Sequence, residues 1–152
     1  MRFVEMKELE TARLNLRRMR FEDLYDYYEH ITSDGDVTRY LELEPHQEIS
    51  ETMAELQNIL ERYEEPGFYR WAIARKEDDG IIGTFALLRF DEEAESCSFA
   101  YMLGKQWWNQ GYATEAMQEI FRFAQEELGV QKITADHLAA NAASGAVMRK
   151  AG

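Results

Sequence analysis

The sequence predicts an α/β domain built on a mixed sheet, antiparallel in its first part and parallel late. Three observations carry that reading. Apolar and aromatic runs at 69–76, 81–90 and 96–103 are separated by turn residues, Asp78-Asp79-Gly80 and Glu92-Glu93, as in consecutive antiparallel strands. From residue 113 to 128 apolar side chains recur with a helical period: Ala113, Ala116, Met117, Ile120, Phe121, Ala124 and Leu128 share one face, and Gly129 stands just past the end. A strand-like run follows at 131–138, so this helix connects two strands, and a crossover of that kind makes them parallel.

The chain has 152 residues, 45% apolar and 30% charged, which suits one globular domain with a sizeable core. A net charge of −12 argues against nucleic acid as a partner, because phosphate repels this balance. The same surface suits a cationic partner, or serves solubility alone. Cys97 is the sole cysteine, which rules out an internal disulfide and fits a reducing compartment. No apolar run reaches membrane-spanning length, and residues 1–8 are too charged for a signal-peptide core. The expectation is a cytoplasmic protein with no membrane partner.

Taken in order, residues 1–10 read as a loose lead-in or an expression remnant. Leu14 and Leu16 alternate with Asn15 and Arg17 as a first strand. Residues 21–31 read as a helix with Phe21, Leu24, Tyr28 and Ile31 on one face, ended by the turn Ser33-Asp34-Gly35-Asp36. Residues 37–45 are irregular. Ser50 is the expected N-cap of a second helix with Met53, Leu56, Leu60 and Tyr63 inward, stopped by Pro66-Gly67. The three antiparallel strands follow, with Gly83 marking a bulge or a close backbone approach. After the crossover helix and its strand, residues 141–150 close the chain as a short helix. The order is β-α-α-β-β-β-α-β-α. A sheet that stops at a helix end leaves an exposed strand edge, so a further strand or hairpin is expected beyond Gly152.

The stretch from Trp107 to Ala116 joins a strand to a helix start. The first N–H groups of a helix lack internal partners and carry partial positive charge, so a loop turning straight into them can hold a phosphate. Gly111 lets a ligand approach closely, and Asn109 tolerates left-handed dihedrals. An ordinary strand-to-helix connection accounts for the stretch equally well.

Four pieces of the chain, residues 11–17, Ile82-Gly83, residues 108–116, and residues 141–144 with 147–152, together resemble the GNAT superfamily of acetyl-CoA-dependent N-acetyltransferases, and within it the branch that acetylates the N-terminal alanine of ribosomal proteins. Thr11-Ala12-Arg13-Leu14-Asn15-Leu16-Arg17 is similar to the opening strand of that branch, and Ile82-Gly83 to its hairpin strand. Trp108-Asn109-Gln110-Gly111-Tyr112-Ala113-Thr114-Glu115-Ala116 resembles its pyrophosphate loop. Asn141-Ala142-Ala143-Ser144, with Val147-Met148-Arg149-Lys150-Ala151-Gly152, resembles its second signature. There are departures: Trp108 stands where the wider superfamily prefers Gln or Arg, Asn109 where the branch prefers glycine, and Ser98 where many relatives place a strand carboxylate.

The resemblance implies a GNAT-like fold for residues 1–152 as one domain truncated at its C-terminus, with antiparallel N-terminal strands and a central parallel pair splayed at the cofactor site. It implies acetyl-CoA as co-substrate and direct transfer to an amine in a ternary complex. Backbone N–H groups in the loop Asn109, Gln110, Gly111, Tyr112, Ala113 and Thr114 would hold the pyrophosphate, and one near Met102 or Leu103 would polarise the thioester carbonyl. Ser144 is the candidate proton donor to the leaving thiolate, or equally a hydroxyl capping its own helix. Asn141 holds the pantetheine arm, caps that helix, or does both.

The remaining candidates have plainer readings. His30, His46 and His137 lack metal-ligand spacing, and no metal is expected. Cys97 reads as a buried thiol, Trp107 and Trp108 as packing residues, and Glu115, Glu119, Glu126 and Glu127 as a solvated helix face. Asp34, Asp36, Glu42, Glu44 and Glu48 could draw a cationic amine to the cleft, or form a merely solvated loop. The acceptor stays open between a protein N-terminus and a small amine, and a homodimer stays open. A dinucleotide-binding oxidoreductase is disfavoured, because the loop is not Gly-x-Gly-x-x-Gly. A non-catalytic acyl-CoA-binding or interaction module on the same fold is the alternative.

Overall fold

In the computed structural model, residues 1–135 are described. Among them six strands form one mixed sheet in sequence order: β1 (Leu9–Glu10), β2 (Leu14–Arg17), β3 (Tyr69–Arg75), β4 (Ile81–Asp91), β5 (Ser96–Leu103) and β6 (Lys132–Ala135). The first five pair antiparallel. β6 runs parallel to β5, with Ser96 opposite Lys132 and Phe99 opposite Ala135, as the crossover helix requires. The expected splay of this pair lies past Ala135, outside the described residues.

Residues 1–10 are not a loose lead-in. β1 pairs with β2, and the chain before it lies across the sheet with Met6 and Leu9 buried. The Trp71 indole donates to Lys7 O at 2.8 Å, the Tyr69 hydroxyl donates to Val4 O, and Arg2 N–H reaches Leu128 O at 2.9 Å. Buried Tyr and Trp need a partner for their one polar group, and the leading segment supplies it. Charged residues interleave with the apolar anchors there, which hides the pattern in the sequence.

The face toward the crossover helix is aromatic: Tyr69, Trp71, Phe85 and Phe99 belong to its core. α4 (Tyr112–Phe123) lies on it through Ala113, Ala116, Met117, Ile120 and Phe123. Phe123 is fully buried, whereas Phe121, the expected inward residue, sits half-buried against the Phe99 edge, ring centroids 5.3 Å apart. The helix relaxes into a π-turn over Ala124–Leu128 and closes on Gly129 at φ 74. A left-handed residue at that position is the glycine stop expected there.

The opposite face carries residues 21–62. In place of one helix at 21–31 there is a 3₁₀ turn (Phe21–Asp23), one turn of α1 (Leu24–Tyr27) and a π-turn (Tyr28–Thr32). Each change of winding rotates the face, so Tyr27 and Ile31 point inward and Phe21 is exposed. α2 (Gly35–Thr38) starts inside the turn expected at 33–36 and, with a 3₁₀ turn (Arg39–Leu41), runs into the span 37–45 expected to be irregular. α3 (Ile49–Arg62) is capped by Glu48 and Glu51, not by Ser50, which falls inside the helix. Its inward residues are therefore Thr52, Leu56 and Ile59, while Met53 and Leu60 are half-buried.

Arg17 and Asp23 are buried together on this face. The Arg17 guanidinium donates Nη1 and Nη2 to the two Asp23 oxygens at 2.9 Å each, and Nε to Asp79 at 3.0 Å. Burial works against the Arg17 charge, but these two carboxylates outweigh it and hold the group further protonated than usual.

Gly83 does both things its place suggested. The register shifts beside it, and a Cβ on it would stand 2.3 Å from Met102 O.

Candidate functional site

At the end of β5, Gly104 N–H donates to Ile82 O at 2.8 Å. That bond brackets Gly83 opposite Leu103 as a non-hydrogen-bonded pair. Backbone bonds alternate along an antiparallel ladder, so Met102 exchanges its bonds with Thr84, and the Leu103 N–H and C=O face the other way, toward the β6 side. The Leu103 carbonyl accepts the Trp108 indole at 2.7 Å. The described part of β6 ends opposite Phe99, below this point.

After β5 the chain makes a 3₁₀ turn (Lys105–Trp107). Trp107 is buried against His30, rings 4.8 Å apart and nearly perpendicular. Gly104 is tight beneath it, since a Cβ would come within 2.6 Å of the Trp107 ring. Both tryptophans are packing residues that set the path of the loop. Lys105 reaches Asp36 at 3.0 Å and Asp34 at 3.6 Å, which ties the segment after α1 to this loop. Asp34 also caps α2 through the Asp36 N–H at 2.9 Å. Of the acidic residues expected to attract a cation, these two thus already face an ammonium; Glu42 and Glu44 are exposed.

The chain enters α4 through two left-handed residues, Asn109 at φ 62 and Gly111 at φ 84. Gly111 is the N-cap and no side chain caps the helix, so the amides of Tyr112, Ala113 and Thr114 open the first turn without a side-chain partner. Glu115 N–H makes the first intrahelical bond, to Gly111 O at 3.0 Å. Asn109, Gln110, Gly111, Tyr112, Ala113 and Thr114 are therefore brought together at one helix terminus. Their backbone geometry and partial charge suit an anion.

Glu115 is not part of a solvated face, as its spacing suggested. Its side chain is 19% exposed, and it takes three donors from the turn between β1 and β2: the Thr11 hydroxyl, Arg13 N–H at 2.9 Å and Arg13 Nε at 2.8 Å. Burial pushes its carboxyl up, but the Thr11 and Arg13 bonds outweigh burial and hold it below the usual carboxylate range. Arg13 also donates Nη2 to Gln110 O at 3.1 Å and stacks 4.0 Å over the Tyr112 ring. This cluster was illegible in the sequence because its partners lie 102 residues apart. Glu119 and Glu126 do behave as a surface face, paired with Arg122.

Burial pushes the Cys97 thiol up to about 12, the opposite of what a nucleophile needs. His30 Nδ1 lies 3.2 Å from Ile81 O and His46 Nδ1 lies 2.7 Å from the Thr52 hydroxyl. Among the described residues no cluster of three His, Cys, Asp or Glu could hold a metal, and no helix is long and apolar enough to cross a membrane. Ser144, Asn141 and His137 lie outside the described residues. Ser98 is half-buried on the face opposite α4, beside Leu88 and Thr134 in the register.

The family model described as an acetyltransferase (GNAT) domain matches residues 13–152. An uncharacterized N-acetyltransferase, p20, of Bacillus licheniformis is 33% identical over 133 residues, which is 86% of this chain and 72% of that protein. A second, YoaA of Bacillus subtilis, is 28% identical over 144 residues, 95% of this chain and 81% of the relative. Among solved structures, a putative ribosomal-protein-serine acetyltransferase from Vibrio cholerae superposes with TM-score 0.81 at 20% identity, covering 98% of this chain and 84% of that one. The microcin C7 self-immunity acetyltransferase MccE, in complex with acetyl-CoA and AMP, gives TM-score 0.74 at 17% identity over 93% of this chain and 78% of that one. At those identities the two structures speak for the fold alone. The family match spans most of the chain and includes the strand, loop and helix just described: the protein belongs to the GNAT acetyltransferases and is an acyl-transferring enzyme of the N-acetyltransferase kind.

Proposed function

We propose that this chain transfers the acetyl group of acetyl-CoA to a primary amine, with the diphosphate of the co-substrate held at the start of α4. The observation that carries this is the helix terminus without a side-chain cap, entered through left-handed Asn109 and Gly111 in the loop that joins β5 to α4. Acetyl-CoA supplies the activated thioester. The chain's own groups bind and orient. Amides from Gln110 to Thr114 take the diphosphate. The Leu103 N–H, which faces away from β4, suits the carbonyl oxygen where negative charge develops, and is better directed for this than Met102. Ser98 carries no basic group, so we assign the proton of the attacking ammonium to water. Ser144 keeps the role of proton donor to the departing thiolate, and Asn141 that of a contact to the pantetheine arm. Both roles rest on the motif resemblance.

For the acceptor we favour the N-terminal amine of a protein such as a ribosomal protein. The support is the likeness of residues 11–17 and 108–116 to that branch. The putative ribosomal-protein-serine acetyltransferase from Vibrio cholerae shares the fold. The test is release of free thiol from acetyl-CoA across a panel of N-terminal peptides, polyamines and aminoglycosides. We expect an N-terminal peptide to give the highest kcat/KM. No thiol release with any amine would favour a non-catalytic acyl-CoA-binding module, and release with a small amine alone would overturn the protein acceptor.

A further inference from the structure

We propose that Thr11, Arg13 and Glu115 lock the peptide between Gln110 and Gly111 in the orientation that offers an N–H, rather than a carbonyl, to the diphosphate. This rests on the reading of the α4 terminus given above. The peptide is trans, as are all those described, so the Gln110 C=O and the Gly111 N–H point in opposite directions. Arg13 grips the Gln110 oxygen at 3.1 Å from the side of the β1–β2 turn. The Gly111 N–H is thereby turned to the other side of the peptide, away from Arg13. Arg13 is thus a positioning residue and not a phosphate contact.

The grip is itself held. Glu115 orients the guanidinium through Nε at 2.8 Å, and it binds the turn through Arg13 N–H and the Thr11 hydroxyl. The Tyr112 ring supports the guanidinium plane from one side. Three donors from one turn converge on a single carboxylate at the first turn of the helix that they serve. A lock is needed here because Gly111, at φ 84, can cross to negative φ without steric cost. Rotation of that peptide would replace an N–H by a carbonyl oxygen, which repels phosphate. The sequence shows only a Thr-x-Arg turn and a glutamate at a helix start. The structure makes them one device.

The probes are CoA and pantetheine, which share the thiol arm while only CoA carries the diphosphate. Dissociation constants for both are measured by calorimetry on the wild type, Arg13→Gln, Arg13→Lys and Glu115→Gln. The temperature is one at which near-UV circular dichroism shows each to be folded. We expect CoA binding to weaken roughly tenfold relative to pantetheine in Arg13→Gln and Glu115→Gln, the scale of one lost charge-assisted hydrogen bond. Arg13→Lys should fail to restore it, because lysine keeps the charge but not the fork that spans Glu115 and Gln110. An unchanged preference for CoA in Arg13→Gln overturns the lock. Full rescue by lysine also overturns it, since a bare charge contact would then suffice. A wild type that binds CoA no better than pantetheine instead defeats the reading of the α4 terminus, and the lock with it. Should Glu115→Gln not fold, the two Arg13 variants decide alone.

Discussion

The two faces of the sheet are covered differently, one by a single long helix and the other by several short segments and α3. Toward α4 the strands give Tyr69, Trp71, Phe85 and Phe99, and the helix meets them with small residues in its first turns, Ala113 and Ala116, and with Met117, Ile120 and Phe123 further on. Toward α1 and α3 the helical segments give Tyr27, Ile31, Leu56 and Ile59, and the sheet gives Ala72 and Ala74 together with Ile81 and Met102. Small residues at the start of α4 let its N-terminus sit close to the strand ends. On the other face, Tyr27 and Ile31 on short and differently wound turns pack beside Leu56 and Ile59 of the regular helix α3. One face thus presents a helix terminus suited to an anion. The other presents a segment held in place by side-chain bonds such as those of Arg17 and Lys105.

The largest expected effect breaks both faces at once. Gly83→Val should prevent folding, at a cost beyond about 4 kcal/mol, because a side chain would meet Met102 O and the Leu103 backbone. Loss of the cooperative thermal transition would show it.

Next, Phe123→Ala should cost about 3–5 kcal/mol, the range for a buried aromatic whose space cannot collapse. Phe123 packs edge-on to Trp71 at 5.7 Å and also meets Tyr69. Asp23→Ala on the opposite face should cost about 3 kcal/mol, the low end for a broken buried ion pair, since Asp79 still reaches Arg17. Denaturant midpoints of the two variants sharpen the comparison. If Asp23→Ala proves the costlier, the irregular face is held by charge more than by packing.

A smaller effect depends on pH. The Glu115 carboxyl is held below its ordinary value, so the folded state binds its proton less tightly than the unfolded state does. Its contribution to stability is present above the ordinary carboxylate value, about pH 4, and fades as pH falls through and below it. The melting temperature of Glu115→Gln should therefore start lower at neutral pH and fall less on acidification than that of wild type.

The smallest effect is expected on the solvent side of α4. Arg122→Ala removes bonds to Glu119 and Glu126, and should change stability by less than about 0.5 kcal/mol because exposed pairs are screened.

By itself the sequence determined what is periodic or local. The five antiparallel-to-parallel strands from β2 to β6, the apolar face of α4, the Gly129 stop and the left-handed tolerance of Asn109 all follow from side-chain alternation, helical period and local backbone chemistry, which act within a few residues. The motif spacing carried the family in the same way. Tertiary structure alone decided what depends on distant partners. It drew residues 1–8 across the sheet, because Tyr69 and Trp71 bury polar atoms that need acceptors. It broke 21–32 into three windings, moved the cap of α3 from Ser50 to Glu48, and turned Glu115 from an apparent surface acid into the anchor of Thr11 and Arg13. A buried group takes whichever partner the fold brings to it, and no local pattern in a chain records a neighbour 102 residues away.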